Sequence, residues 1–410
     1  MKKLFSLLIC VVCLLSVGCI KSDDNSSSNI NSPSGDNSFY EDTLTNPNML
    51  VPEWRTYDEQ GSYIFEGNGD GSYNIKFLDP VSVTSSYLCS QLGCNHNSEE
   101  CTSYVVPRNG CAFLAKLNGK IIVVTMGNND TIPPSVRTMS LSGGDGKKIV
   151  EFDMSDLLMP LQHIIITGEN SIYCELESAS DTNGAVEVES QLVKIDIDTG
   201  KVSKILTFRP QQRLKGVVNN KFLIVEYDTG TWNVYLATQD GNMGKPIFEF
   251  KGKGEFFENK NQIYFLNYEE QKLCLLSEDG QVTEYMDIPF GGNNSYIRRI
   301  CDDMIVIDNS IFNNDISDWD TTKYCIDLNT KEIRKNTFKI DNEGKILSAT
   351  IQGMTRDYVI ATVGYTYKEM TGFDKDGNID TYTVDTPVLG KFTFDDFFSD
   401  RMVYQTFENI

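Results

Sequence analysis

The sequence predicts an all-β chain folded as a β-propeller, with seven four-stranded blades as the best count. Three observations lead there. No long stretch carries helical periodicity, and apolar, β-branched runs of about five to seven residues dominate, separated by Asn, Asp and Gly. Strongly apolar runs recur with leading residues at Ile121, Ile172, Phe222, Ile263, Met304 and Tyr358, a spacing of about 41 to 54 residues that matches one four-stranded blade. After five of these runs comes an alternating strand, a tight Asp-, Gly- or Asn-Thr-containing turn and a further strand, as in LVKIDIDTGKVSKIL and KLCLLSEDGQVTEYM.

The elements follow in order. Residues 1–18 read as a signal peptide, because a basic start (Lys2, Lys3) precedes an apolar run of about a dozen residues, too short for a span of about 20. Ser16 and Gly18 before Cys19 resemble the lipobox of bacterial lipoproteins, although that motif more often has Leu where Ser16 stands. The resemblance implies diacylglycerol, with palmitate-type chains, on the Cys19 sulfur and a protein held at the cell membrane on its extracytoplasmic face. Each buried methylene adds about 0.8 kcal/mol to such an anchor. Residues 19–47, rich in Ser, Asn, Asp and Pro, bury too little apolar surface to fold and read as a flexible tether with a reach of roughly 25 to 30 Å.

Residues 48–410 are assigned to the propeller domain. GSYIFEG with SYNIKFL opens it, and the six apolar runs with their companions bring the unit count to seven. A lone four-stranded sheet leaves both faces uncovered, whereas sheets packed radially cover one another. The apolar runs KIIVV and KFLIV are therefore expected as the innermost strands, and the C-terminal YQTFENI is expected to pair with the first blade. The hairpin LVKIDIDTGKVSKI is similar to that of quinoprotein-like repeats; WD and kelch signatures are absent.

Between the first and second units lies YLCSQLGCNHNSEECTSY, a C-x4-C-x-H-x4-C arrangement of Cys89, Cys94, His96 and Cys101, with Cys111 closing a Cys/His loop at 89–111. This segment, together with the lipobox, resembles a group of uncharacterised β-propeller lipoproteins of Gram-positive bacteria; the resemblance implies a fold and brings no assigned reaction. Three thiolates and one imidazole suffice for a tetrahedral structural Zn²⁺ site, although the spacing is not that of CxxC knuckles. Disulfides among Cys89, Cys94, Cys101 and Cys111 are the alternative, favoured by the compartment, and a Cys–His nucleophile pair is a third. Cys174, Cys274 and Cys325 read as buried small apolar residues, with a Cys301–Cys325 bridge as an option.

The remaining signals are weaker. GFDKDGNID (372–380) places Asp374, Asp376, Asn378 and Asp380 as in part of a calcium loop, but Gly372 and Thr383 stand where oxygen ligands are needed, so a hairpin turn is expected. GNGDGS (67–72) is a turn between strands, and His163, one of two histidines, allows no Ser-His-Asp set. Loss of Lys2 and Lys3 takes the formal charge from −22 to about −24, which opposes nucleic-acid binding. The function expected is a membrane-anchored binding or interaction scaffold for a protein or glycan partner. The alternative is a carbohydrate-active propeller enzyme with paired carboxylates, whose catalytic residues the sequence does not reveal.

Overall fold

The computed structural model describes residues 42–46, 49–50, 55–69, 71–106, 112–127, 131–158, 165–182, 185–291, 294–313, 318–373 and 379–409. Nearly every element is a strand, and the strands form seven four-stranded blades in a ring. Blade 1 comprises Arg55–Asp58, Gly61–Gly67, Tyr73–Asp79 and Thr84–Tyr87; blade 2 comprises Ala112–Leu117, Lys120–Thr125, Ser135–Ser140 and Lys147–Glu151. Blade 3 runs Ile166–Thr167, Ser171–Thr182, Ala185–Asp196, Val202–Thr207, and blade 4 runs Gln212–Val218, Lys221–Asp228, Thr231–Ala237, Phe248–Lys251. Blade 5 is Gly254–Asn259, Gln262–Asn267, Lys272–Leu276, Val282–Asp287; blade 6 is Ser295–Cys301, Met304–Asn313, Asp318–Asp327, Ile333–Asn336; blade 7 is Ile351–Met354, Tyr358–Phe373, Ile379–Thr393, Tyr404–Thr406.

The core divides as a ring of stacked sheets requires. Each pair of neighbouring blades shares its own apolar cluster, from Tyr63, Ile75, Leu114 and Ile121 between blades 1 and 2 to Ile64, Leu78, Tyr358 and Ile360 between blades 7 and 1. Period-two alternation explains the partition. Ile121 and Val123 point to blade 1, and Ile122 and Val124 point to blade 3; all four are 0% exposed.

This corrects the expectation that the apolar runs are innermost. They are the second strands. The first strands of neighbouring blades meet one another, which places them around the axis, where Met49–Leu50 bridges the inner edges of those of blades 1 and 6. A second strand has a hydrogen-bonded neighbour on both edges and a packed blade on both faces, so its central residues are withdrawn from water. The first strands, such as QRLKGVV and SYIRRIC, are too polar to stand out in the sequence.

Both ends of the described chain are tied into the ring. Tyr404–Thr406 is the fourth strand of blade 7, and Glu408–Asn409 then pairs in parallel with Thr84 and Ser85 of blade 1, as expected for the C terminus. Asn409 Oδ1 accepts from Lys76 Nζ (3.1 Å) and Ser85 Oγ (2.6 Å). Residues 42–46, which composition places in the tether, pack on the propeller. Thr45 and Thr167 exchange backbone hydrogen bonds of 2.8 and 2.9 Å, and Leu44 N–H donates to Asn220 Oδ1 at 2.9 Å. Asp42 accepts from Tyr173 Oη and the Glu169 N–H, both at 2.9 Å, and pairs with Lys194 at 2.9 Å. Such polar residues are held by specific partners rather than by apolar burial, which composition cannot register.

The partners of this segment (Glu169, Asn220, Gln239, Glu258) lie in or beside the turns joining strands one and two, or three and four, of blades 3 to 5. In an antiparallel meander those turns share one face of the ring, and the turns joining strands two and three occupy the other. On that other face the central hairpins of blades 3, 6 and 7 are long, with strands of 12, 10 and 15 to 16 residues. The tip of the blade 7 hairpin, with Asp374, Asp376 and Asn378, lies outside the described residues, but the strands on either side form the expected hairpin.

Candidate metal centre

The Cys/His loop does not lie between blades. Thr84–Tyr87 and Tyr104–Val105 both pair antiparallel with Tyr73–Asp79, so residues 88–103 are an insertion within the outer strand of blade 1. One residue closes it: Leu88 N–H donates to Ile75 O, and Ile75 N–H donates to Ser103 O, both at 2.9 Å. Glu408–Asn409 covers the outer side of this strand only at Thr84 and Ser85, so the stretch that follows can leave the ladder without breaking a second one.

At the base of this loop Cys89, Cys94, His96 and Cys101 converge, with one ligand atom from each lying within 4.8 Å of the others. His96 Nδ1 is 3.2 Å from Cys101 Sγ. Cys94 Sγ accepts the His96 N–H from two residues downstream at 3.4 Å, and the Gln91 and Ser103 N–H groups, at the same spacing, act to lower the Cys89 and Cys101 thiols. A neutral thiol is a weak acceptor, whereas a thiolate is a strong one, so this repeated turn suits sulfur in its metal-binding form. Burial works to raise the Cys89 thiol, but hydrogen bonds from Gln91, Cys101, Thr102 and Cys94 outweigh it and hold it below its ordinary value. Cys101 is pushed up, first by burial, against the lowering effect of Ser103.

Further residues orient the set. The His96 ring stacks on Tyr87, with centroids 4.4 Å apart at 29°, and Lys76 Nζ sits 4.7 Å from the centre of the other partner in that stack, Tyr87. Ser103 Oγ lies 3.0 Å from Cys101 Sγ and donates to Asn74 Oδ1, while Asn74 Nδ2 donates to His96 O at 3.0 Å. Asn74 and Ser103 are buried, so this chain ties one cysteine and the histidine backbone to the third strand of blade 1. The loop leans on the turn between the last two strands of blade 2, where Gly143 has φ +80 and a Cβ would meet Leu88 O at 2.2 Å. Thr102 Oγ1 donates to Gly143 O.

The structure thus brings together the four residues singled out in the sequence, and this donor set can hold a metal ion. Cys89, Cys94 and Cys101 are free thiols in the structure; Cys111, the fourth cysteine of the disulfide alternative, lies outside the described residues, as does His163. Cys174, Cys274 and Cys325 are buried, as expected, and Cys301 joins them. A Cys301–Cys325 bridge is ruled out by topology. The two stand on the first and third strands of blade 6 with Met304–Asn313 between, about 10 Å apart, beyond the reach of a disulfide. The sequence pointed to none of Asn74, Ser103 or Tyr87 as partners of the cluster.

No family model and no curated protein matches the sequence. Among solved structures the chain is similar to an oligogalacturonate lyase in complex with manganese, at 12% identity over 84% of this chain and 90% of that one, with a TM-score of 0.50. It is also similar to the oligogalacturonate lyase of Vibrio parahaemolyticus, at 12% identity over 85% and 94% of the two chains, again with a TM-score of 0.50. At this identity the likeness is one of propeller fold.

Proposed function

We propose that the chain is a membrane-anchored extracytoplasmic lipoprotein whose propeller is a binding scaffold for a protein or glycan partner, with a structural Zn²⁺ stapling the loop of blade 1. The observation that carries the scaffold reading is the opposition of the two faces. The chain enters the described structure at Asp42 on the face of the short turns, so an anchor at Cys19 orients that face to the membrane. The long hairpins of blades 3, 6 and 7 then face outward. The blade 6 hairpin exposes Ile311, Phe312 and Trp319, the last two in an edge-to-face pair at 5.4 Å. Paired exposed aromatics of this kind suit stacking on a sugar ring or an apolar side chain.

Zinc suits three thiolates and an imidazole, a soft set without a redox role. It would be held by Cys89, Cys94, His96 and Cys101 and would replace the apolar core that so polar a loop lacks. Crosslinking on intact cells, comparing wild type with a Phe312→Ala/Trp319→Ala variant, tests the scaffold. A partner captured by wild type and lost in the variant is expected; recovery of nothing above an anchor-only control refutes it. Elemental analysis with a free-thiol count tests the metal, and zinc-free protein with Cys89, Cys94 and Cys101 oxidised ends that reading.

A further inference from the structure

Arg137 stands on the third strand of blade 2, paired with Val123 on one side and Lys148 on the other. Alternation along that strand puts it on the same face as Met139, which packs with Val123, Leu88 and Val105 in the apolar cluster joining blades 1 and 2. A guanidinium in such a place needs a reason. Its Nε and Nη2 are shielded from solvent and have no hydrogen-bond partner among the described residues. The Cys101 sulfur is near enough for its charge to act on Arg137.

The charge count explains the residue. Three thiolates and a neutral imidazole around a divalent ion sum to one negative charge, which a low-dielectric interface penalises unless a positive charge lies beside it. In the structure the guanidinium Nε and Nη2 face this interface with no hydrogen-bond partner among the described residues. We propose that Arg137 is the counter-charge of the metal centre, so that a divalent ion bound in blade 1 is neutralised from blade 2 and its loading locks the two blades together. The inference rests on the zinc reading above and adds a positioning residue that acts through Cys101. It also sets a preference for a divalent over a monovalent ion, since a monovalent ion in the same four ligands leaves a second negative charge that Arg137 cannot balance.

The test uses the purified full chain as wild type, Arg137→Met and Arg137→Lys. Zinc affinity is read by competition with a colorimetric chelator, and the unfolding temperature is measured for zinc-loaded and chelator-stripped protein. The Met variant is expected to bind zinc at least about tenfold more weakly, as for other outer partners of metal ligands. Stripped of metal, it is expected to unfold no earlier than stripped wild type, because a buried unpaired charge has gone. The Lys variant, which keeps the charge, is expected to fall between the two in affinity, and it decides the matter alone if the Met chain does not fold. Equal affinity in wild type and Met, a Lys variant as weak as Met, or an equal loss of stability with and without zinc would each overturn the role of Arg137. Wild type that takes up no zinc would overturn the metal reading itself.

Discussion

Replacing Glu258 with Gln should make the protein more stable at alkaline pH and change little at acid pH. Glu258 lies in the first strand of blade 5, 8% exposed, where Asn46 of the N-terminal segment and the Asn261 N–H (2.7 Å) donate to its two oxygens. Burial pushes its pKa from 4.5 up to about 7, and the two donors only partly oppose this. Between those values the folded state holds a proton that the unfolded state has released, so stability falls as pH rises through the window. A shift of about 2.5 units at about 1.4 kcal/mol each amounts to roughly 3 kcal/mol by pH 8. The neutral acid also supplies an O–H donor in a place where Asn46 Oδ1 is buried with no partner among the described residues. Glutamine keeps an acceptor for Asn261 and a donor in the same shape. Urea unfolding of both proteins at pH 4.5 and pH 8 measures the effect, and the advantage of Glu258→Gln should grow by about 3 kcal/mol between them. An advantage of the same size at both pH values would refute the argument, since only a titrating carboxyl makes the difference depend on pH.

Three further outcomes are expected. Gly143→Ala places a methyl against the Leu88 carbonyl at a positive φ, so it should cost about 2 kcal/mol or more in thermal unfolding and weaken zinc retention, whereas the same change at the open Gly230 turn should leave zinc retention intact. Asp42→Ala leaves Tyr173 Oη, the Glu169 N–H and Lys194 without their acceptor and should cost about 2 to 3 kcal/mol at pH 7. Burial raises the Asp42 pKa, but Lys194, the Glu169 N–H and Tyr173 overcome it and the net shift is down; the contribution is therefore present above the usual carboxylate range and lost as pH falls through the folded value, so wild type and variant should converge in acid. Truncation after Thr406 removes the parallel pairing with Thr84 and Ser85 and the packing of Phe407 between blades 1 and 7, and should lower the unfolding temperature and raise proteolysis there.

The sequence by itself determined the architecture and the ligand set. Apolar runs at blade spacing, each followed by a hairpin with its own turn residues, can hide their faces in few other ways, and Cys89, Cys94, His96 and Cys101 stand close enough in the chain to meet through local turns. What only the tertiary structure decided depends on contacts between distant residues. The second strands, unlike most of the first, are paired on both edges and packed on both faces, and first strands such as QRLKGVV left no apolar signal. Residues 42–46 look unfoldable by composition, yet turns more than a hundred residues away supply Glu169, Asn220, Gln239 and Glu258 to hold them. Arg137 is an ordinary charge on an alternating strand until blade 2 is laid against blade 1, and only then does it come within electrostatic reach of Cys101, whose site it is proposed to balance.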